Sequence, residues 1–230
     1  MARIFVLLMA LLLSACETMQ LNQLLSTGSQ VSQEQSATAI RQALEQGSQR
    51  ASSELSERGG YADNPLLRIE LPQQMQPLAN TLRQFGFGGQ VDRIETLMNR
   101  GAEQAAAKAG PIFIEAIREM SIEDAITIVR GPDNAATDYF REQTENRLRG
   151  EYQPIIRNNL QQLGFYDDYR RMLDLYSTLP VGDARAMDLE QHVLNLALDG
   201  LFDRVADEER LIREDPFGRG GNLIGAVFGR

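Results

Sequence analysis

Apolar residues in this chain recur at steps of three, four and seven, and this spacing constrains the fold more than any other feature of the sequence. Such steps place side chains on one face of an α-helix, whereas a half-buried strand alternates with period two. No segment shows sustained period-two alternation, and glycine or proline interrupts the apolar pattern at intervals that suit loops between helices. The sequence therefore predicts an all-α fold, a single irregular multi-helix bundle.

The first predicted helix illustrates the pattern. Ser32 and Gln35 form a capping-box pair, after which Ile40 and Leu44 belong to an apolar face that continues to the glycine pair at 59–60. Helices are also predicted over 73–85 and 90–108, and a further helix begins at Pro111. A short helix follows the capping pair Ser121 and Asp124, and the next runs from a cap at Asp133 or Asn134 to Arg149. The last three predicted helices are 152–163, 166–177 and, after Asp188, 189–213.

The N-terminus is typical of a secretory signal peptide. Arg3 precedes an unbroken apolar run, Ile4–Leu13, whose ten residues are too few for a membrane-spanning helix, which needs about 20. The sequence Leu-Ser-Ala-Cys at 13–16 then resembles the bacterial lipobox, in which the cysteine becomes the acylated first residue of the mature chain. An ordinary signal peptide in which Ala15 happens to precede a cysteine is the alternative. Cys16 is the only cysteine, which favours the lipid interpretation because no disulfide partner is left over.

The lipobox resemblance implies a diacylglyceryl thioether and an N-acyl chain, such as palmitate, on Cys16. Two or three acyl chains form a durable membrane anchor. Glu17 follows, where retention in the inner membrane typically uses Asp, so the periplasmic face of the outer membrane is favoured over the inner membrane. We therefore expect a lipid-anchored protein of the bacterial cell envelope that faces the periplasm.

The expected organisation has four parts. Residues 1–15 form the signal peptide, residues 16–31 the lipid anchor and a polar tether, residues 32–215 the helical domain, and residues 216–230 a Gly-rich amphipathic tail. The tether contains a small apolar cluster at Leu21, Leu24 and Leu25. Docking onto the bundle is the simpler role for the tail, and binding to a partner or a membrane is the alternative.

Composition excludes several classes of function. The formal net charge is −9, with 32 acidic against 23 basic side chains, so the chain lacks the excess of Lys and Arg that displaces counterions from nucleic-acid phosphates. One cysteine and one histidine exclude disulfide frameworks, Cys/His zinc sites and the two-histidine di-iron pattern. We expect no nucleic-acid partner, no metal site and no cofactor.

The sequence contains no recognisable catalytic set. His192 is the only histidine, and Ser121 and Ser177 lie in no nucleophile motif, so a partly packed or solvent-facing His192 is expected. Asp133 and Asp138 lack the spacing of a calcium-binding loop, and helix capping explains Asp133 better. Carboxylates are plentiful, so a pair acting on envelope glycan or lipid stays open as an alternative. The chain is not expected to be an enzyme, although that alternative is kept.

One carboxylate conflicts with the helical pattern around it. Ala197, Leu201, Val205 and Ile212 share one stripe of the last long helix, and Glu208 lies within that stripe. Burying an unpaired carboxylate costs several kcal/mol, so we expect an arginine partner, either Arg204 one turn earlier or a distant arginine. Glu208 and Arg204 are the two candidate binding residues, with a structural ion pair as the other interpretation. Two more pairs four residues apart are predicted on the surface, Glu209 with Arg213 and Arg210 with Glu214.

Five short runs stand out by their order and spacing: Met98–Glu103, Gly110–Phe113, Asp133–Phe140, Ala197–Phe202 and Val227–Gly229. Together they resemble a bacterial family catalogued as domain of unknown function 4197, many of whose members are lipoproteins. The resemblance covers about residues 21–230 and implies a helical envelope domain without assigned catalytic residues.

Three functions fit these observations. A noncatalytic module that binds or supports an unidentified envelope protein or ligand is favoured. A carboxylate-based envelope hydrolase and a carrier of an apolar ligand in a cavity between helices are the alternatives.

Overall fold

The computed structural model describes residues 33–179 and 187–228. Within these ranges the secondary structure is entirely helical, which confirms the all-α prediction. The α-helices there are α1 (Gln33–Ser56), α2 (Gln76–Gln84, after a 3-10 turn Gln73–Met75), α3 (Gly88–Ala106), α4 (Ala109–Glu119), α5 (Ile122–Arg130), α6 (Ala135–Gln162), α7 (Phe165–Ser177), α8 (Leu189–Glu214) and α9 (Pro216–Phe228). The signal peptide, Cys16 and the tether lie outside the described residues.

Two long antiparallel helices, α6 and α8, form the centre of the bundle. Their direction follows from contacts at both ends: Glu209, late in α8, accepts from the Ala136 N–H at the start of α6, and Arg157, late in α6, lies 2.8 Å from Glu190 at the start of α8. Between them the buried Phe113 of α4 packs on Phe140, with ring centroids 4.9 Å apart. Side chains of both helices therefore meet those of α4 in the core.

Shorter helices cover the two halves of this pair. Helices α1, α4, α5 and α9 lie around the start of α6 and the end of α8, where Ser52 of α1 donates to the Ala106 carbonyl and accepts from the Gly110 N–H. Helices α2, α3 and α7 lie around the opposite half, where Gly101 of α3 packs closely on Ile156 and Leu160 of α6. We call the half that contains the start of α1 the entry end, because the described part of the chain begins there.

Helix α6 is the helix whose observed bounds differ most from the predicted ones. A helix ending at Arg149 and another beginning at Tyr152 were expected, but α6 is continuous and contains Gly150 and Pro154. Proline inside a helix costs about 3 kcal/mol, and the packing outweighs this cost because an apolar stripe with a step of four passes through the break without interruption. Its buried members are Phe140, Thr144, Leu148, Tyr152, Ile156 and Leu160.

Two terminal assignments also differ from expectation. Pro111 is the third residue of α4 rather than the first. Asn134 occupies the N-cap position of α6, but its side chain makes no capping hydrogen bond, and neither does Asp133. By contrast, the capping box of Ser121 with Asp124 is present as predicted. Asp188, after which the last long helix was predicted to begin, caps α8 through the Gln191 N–H.

The C-terminal tail docks onto the bundle. Helix α9 bends at Gly221, where φ is 76°, in the left-handed region that glycine adopts without strain. Beyond the bend, Ile224 is buried against Ala39 and Ala43 of α1 and Ile212 of α8. No helix within the described ranges is long and apolar enough to cross a lipid bilayer.

Candidate functional site

Glu208 lies at the junction of three helices at the entry end. It is 1% exposed and occupies the apolar stripe of α8, as its spacing predicts. Arg204 of α8 donates to Oε1 at 2.9 Å and Arg50 of α1 donates to Oε2 at 2.6 Å, while Arg219 of α9 lies 3.3 Å from Oε2. One buried carboxylate thus joins α1, α8 and α9, and we call this set the Glu208 cluster.

A second carboxylate balances part of the positive charge of the Glu208 cluster. Arg204 also donates twice to Glu54 of α1, at 2.9 and 2.6 Å. Burial lowers the pKa of Arg204, but the hydrogen bond to Glu54 and the charges of Glu54 and Glu208 outweigh burial and hold that pKa above its ordinary value. Gly47 lets α1 approach closely, because a Cβ there would lie 3.3 Å from Ile212 Cδ1 and 3.5 Å from Glu208 Cβ. This arrangement is a tightly packed helix junction.

Glu209 points to the other side of α8 and caps α6. It is 7% exposed, and its two oxygens accept from the backbone N–H groups of Ala136 and Thr137 at 3.0 and 2.9 Å and from the Thr137 hydroxyl at 2.8 Å. Arg213 donates to Oε1 at 2.7 Å. The N–H groups at the start of a helix are normally satisfied by the N-cap side chain, which here makes no such bond. The predicted pair with Arg213 is formed, but its expected surface position is wrong because Glu209 replaces the missing cap.

Two further buried carboxylates, Glu95 and Glu103, lie on α3 and hold the connector between α1 and α2. Glu103 accepts from the Gly59 N–H at 2.9 Å and from Arg100 at 2.6 Å. Glu95 accepts from the Leu71 N–H at 3.3 Å and lies within 4 Å of two arginines, Arg68 and Arg83. Each of the four buried carboxylates in the described part of the chain therefore has arginine contacts, and three of them also bind backbone N–H groups.

The remaining candidate catalytic side chains bond to nearby backbone or cap a helix. His192 is partly exposed, and its Nε2 lies 2.9 Å from the Glu70 carbonyl, which requires the proton on Nε2. Ser177 donates to the carbonyl of Asp174, and Ser121 belongs to the cap of α5. No group of three or more His, Cys, Asp or Glu within 33–179 and 187–228 is placed to hold a metal ion.

An open groove at the entry end, which we call the interhelix groove, lies between α1, α5, α8 and α9. Its volume is about 550 Å³, within the range of small-molecule sites. Apolar side chains from three helices line it, and Arg130, Asp133 and Arg213 add charge. Arg130 forms no ion pair with any residue that the structure describes. The lining residues are Gln33, Ser36, Ile40, Ile126, Val129, Arg130, Asp133, Arg213, Ala226 and Val227.

A second groove adjoins the first along the outer side of α5. This α5 groove has a volume of about 690 Å³ and shares Gln33, Ile126 and Arg130 with the interhelix groove. The capping box fixes the start of α5, where hydrogen bonds from Ser121 lower the pKa of Asp124. The α5 groove is lined by Gln33, Ile122, Glu123, Ile126, Thr127, Arg130 and Gly131.

Sequence reasoning located part of this region. Glu208 and Arg204 are in contact as expected, but neither lines a groove, and their binding role stays a prediction. It did not identify Arg50, because a contact across 158 residues leaves no periodic signal. It did not identify Arg219, because that residue is only 11 residues away but lies on the next helix, beyond the periodicity of α8. It also missed the grooves, although the spacing of Ile122 and Ile126 gave a local signal for an apolar side of α5.

Comparison with known proteins gives one match. A family model described as "Protein of unknown function (DUF4197)" matches residues 30–229. No curated protein and no solved structure matches the chain.

Proposed function

We propose that this chain, which belongs to the DUF4197 family of proteins of unknown function, is a noncatalytic binding module held at the bacterial cell envelope by lipid on Cys16. The interhelix groove is its binding site. Its ligand is an envelope component that combines an apolar part with an anionic group. The lipobox-like sequence at 13–16 supports the location, and the composition of the groove supports the ligand class.

The state of the buried carboxylates supports a noncatalytic role. A hydrolase that uses two carboxylates needs both to converge on one accessible site. Here Glu208 and Glu209 face different helices, and each is engaged by arginine side chains. Neither has an oxygen on the lining of the two grooves, although Arg213 links Glu209 to the edge of the interhelix groove. These carboxylates therefore serve the fold.

The observation that carries the proposal is the combination of an apolar floor with an available guanidinium in the interhelix groove. The partly exposed side chains of Ile126, Val129 and Val227 line the groove, and Arg130 stands at its edge without an ion-pair partner among the described residues. Apolar surface favours binding of hydrocarbon or aromatic groups, and a guanidinium is well suited to a carboxylate or a phosphate. An anionic amphiphile satisfies both features.

Substitution of Arg130 tests this binding site. The probe is anilinonaphthalene sulfonate, an anionic aromatic dye whose fluorescence reports binding to apolar protein surface. We expect Arg130→Gln to weaken binding roughly fivefold, since one partly solvated charge pair contributes about 1 kcal/mol. Fluorescence titration of the purified chain measures the dissociation constant.

Arg58→Gln is the matched control, because Arg58 is also exposed, lines neither groove and has no ion pair within the described residues. It should leave the dissociation constant unchanged. Equal affinities for the unsubstituted chain and Arg130→Gln would contradict the proposed site. Crosslinking from the native membrane then identifies the natural ligand or protein partner.

Lipidation of Cys16 is tested separately. The intact mass of protein extracted from the membrane should correspond to a chain that begins at Cys16 and carries acyl chains, and Cys16→Ser should abolish the acylation. A mature protein that starts elsewhere and carries no lipid would contradict the anchor. The preference for the outer membrane, which rests on Glu17, is tested by separating the two membranes of the host cell.

A further inference from the structure

Helix α5 has more apolar surface than the described bundle covers. Five of its nine residues are apolar, but only Ala125 and Ile128 are buried. Ile122 is 37% exposed, and Ile126, one turn later on the same side, is only partly buried. Both line the α5 groove. A short helix with a second apolar side needs another apolar segment to cover that side.

The position of the α5 groove indicates which segment that is. Gln33, the first residue that the structure describes, lines the groove, so the segment that precedes it in the sequence is joined to the bundle at the edge of the groove. This preceding segment contains Leu21, Leu24 and Leu25, whose steps of three and four place all three side chains on one face of a helical turn. Gln23 falls on the opposite face and Asn22 at the flank.

We propose that residues 21–25 of this same chain occupy the α5 groove, with Leu21, Leu24 and Leu25 packed on Ile122 and Ile126. This inference does not depend on what the interhelix groove binds. In this arrangement the tether docks in the α5 groove and covers the exposed apolar side of α5.

Chain length and charge are compatible with this docking. Leu25 lies eight residues before Gln33, so the link can span up to about 26 Å. A covalently linked segment has an effective concentration in the millimolar range, and a weak contact is therefore sufficient for occupancy. Residues 18–32 carry no charged side chain, and the groove offers one acid and one base, Glu123 and Arg130, so no like-charge repulsion opposes an uncharged segment.

Docking would shorten the free tether. If Cys16 carries the lipid, as proposed above, only residues 17–20 separate it from the docked leucines, and these reach at most about 17 Å. A fully free tether would instead let the domain move several times farther from the bilayer. The entry end, with both grooves, would therefore face the membrane to which the chain is attached.

Disulfide trapping tests the docking. The full chain carrying Cys16→Ser has no native thiol, so an introduced pair gives an unambiguous product. We expect Leu24→Cys with Ile122→Cys to form an intramolecular disulfide roughly tenfold faster under mild oxidation than Gln23→Cys with Ile122→Cys, because the bond requires Cβ atoms within about 4.5 Å. The two pairs have almost the same tether length, so the comparison measures docking rather than proximity along the chain.

Hydrogen exchange provides a second measurement that does not depend on the introduced cysteines. Replacing Leu21, Leu24 and Leu25 by serine should speed exchange of the α5 amides, and replacing Gln20, Asn22 and Gln23 by serine should not. Equal trapping rates for the two cysteine pairs, together with unchanged exchange in both serine variants, would overturn the proposal. A disulfide that forms mainly between two molecules would also overturn it, because a second copy would then be the occupant.

Discussion

Replacing Glu208 by glutamine should lower the free energy of unfolding by about 3 kcal/mol, because removing one partner of a buried ion pair leaves the other charges uncompensated. Arg50, Arg204 and Arg219 converge on this carboxylate from three helices. The three guanidinium groups are partly exposed and can recover some hydration, which keeps the loss from being larger. Urea unfolding followed by circular dichroism measures this loss in the free energy of unfolding.

Glu214→Gln is the matched control on the same helix. Its carboxylate pairs with Arg210 at 3.1 Å, four residues away, and both side chains are more than half exposed. Exposed pairs of this kind contribute about 0.3–0.5 kcal/mol, so the control should change stability little. If Glu208→Gln were as stable as Glu214→Gln, the Glu208 cluster would not hold the three helices together.

Replacing Glu209 by glutamine should destabilise the fold by about 2–4 kcal/mol, and the damage should begin at the start of α6. The carboxylate accepts hydrogen bonds from the N–H groups of Ala136 and Thr137. Hydrogen bonds to charged groups contribute about 1.5–3 kcal/mol each to the free energy of unfolding. A glutamine amide presents an NH2 group to one of these donors and also loses the charge that favours a helix N-terminus. The hydrogen-exchange rates of the Ala136 and Thr137 amides should therefore rise as the free energy of unfolding falls.

Asp133→Asn is the control for this second variant, because Asp133 lies near the same helix terminus but is exposed and makes no cap bond. It should cost less than about 0.5 kcal/mol. A Glu209→Gln protein whose α6 amides exchange at the rate of the unsubstituted protein would show that the helix start is held by other contacts.

Local patterns were sufficient to predict much of α8. The stripe through Leu201 and Val205 and the burial of Glu208 both follow from spacing along one helix, and both are present. The predicted start of the helix after Asp188 is also correct. Arg204 could be named as a partner because residues four apart on a helix are neighbours. Each of these predictions depends only on residues within one or two turns of the same helix.

The errors arose where distant contacts override local signals. Gly150 and Pro154 indicated a break in α6, but burial of Tyr152 and Ile156 against other helices keeps it continuous. Asn134 has the residue type of a cap, yet the cap comes from Glu209. Spacing along the sequence carries no information about a side chain that reaches across 72 residues.

The grooves were missed for a different reason. Ile122 and Ile126 were assigned to a short helix between two turns, and a helix so placed is ordinarily buried on its apolar side. Whether that side meets the core or an opening depends on how α1, α8 and α9 pack around α5. A groove is a property of that packing and cannot be identified from the helix alone.

Stability and binding, measured together in Glu208→Gln and Arg130→Gln, test most directly whether the buried carboxylates hold the fold while the interhelix groove binds the ligand. Urea unfolding gives the first quantity, and titration with anilinonaphthalene sulfonate under folding conditions gives the second. We expect Glu208→Gln to lose stability and keep its affinity for the dye, and Arg130→Gln to keep its stability and lose affinity. The reverse result, in which Glu208→Gln loses binding at nearly unchanged stability, would place the ligand at Glu208 and Arg204 and contradict the assignment of the site to the groove.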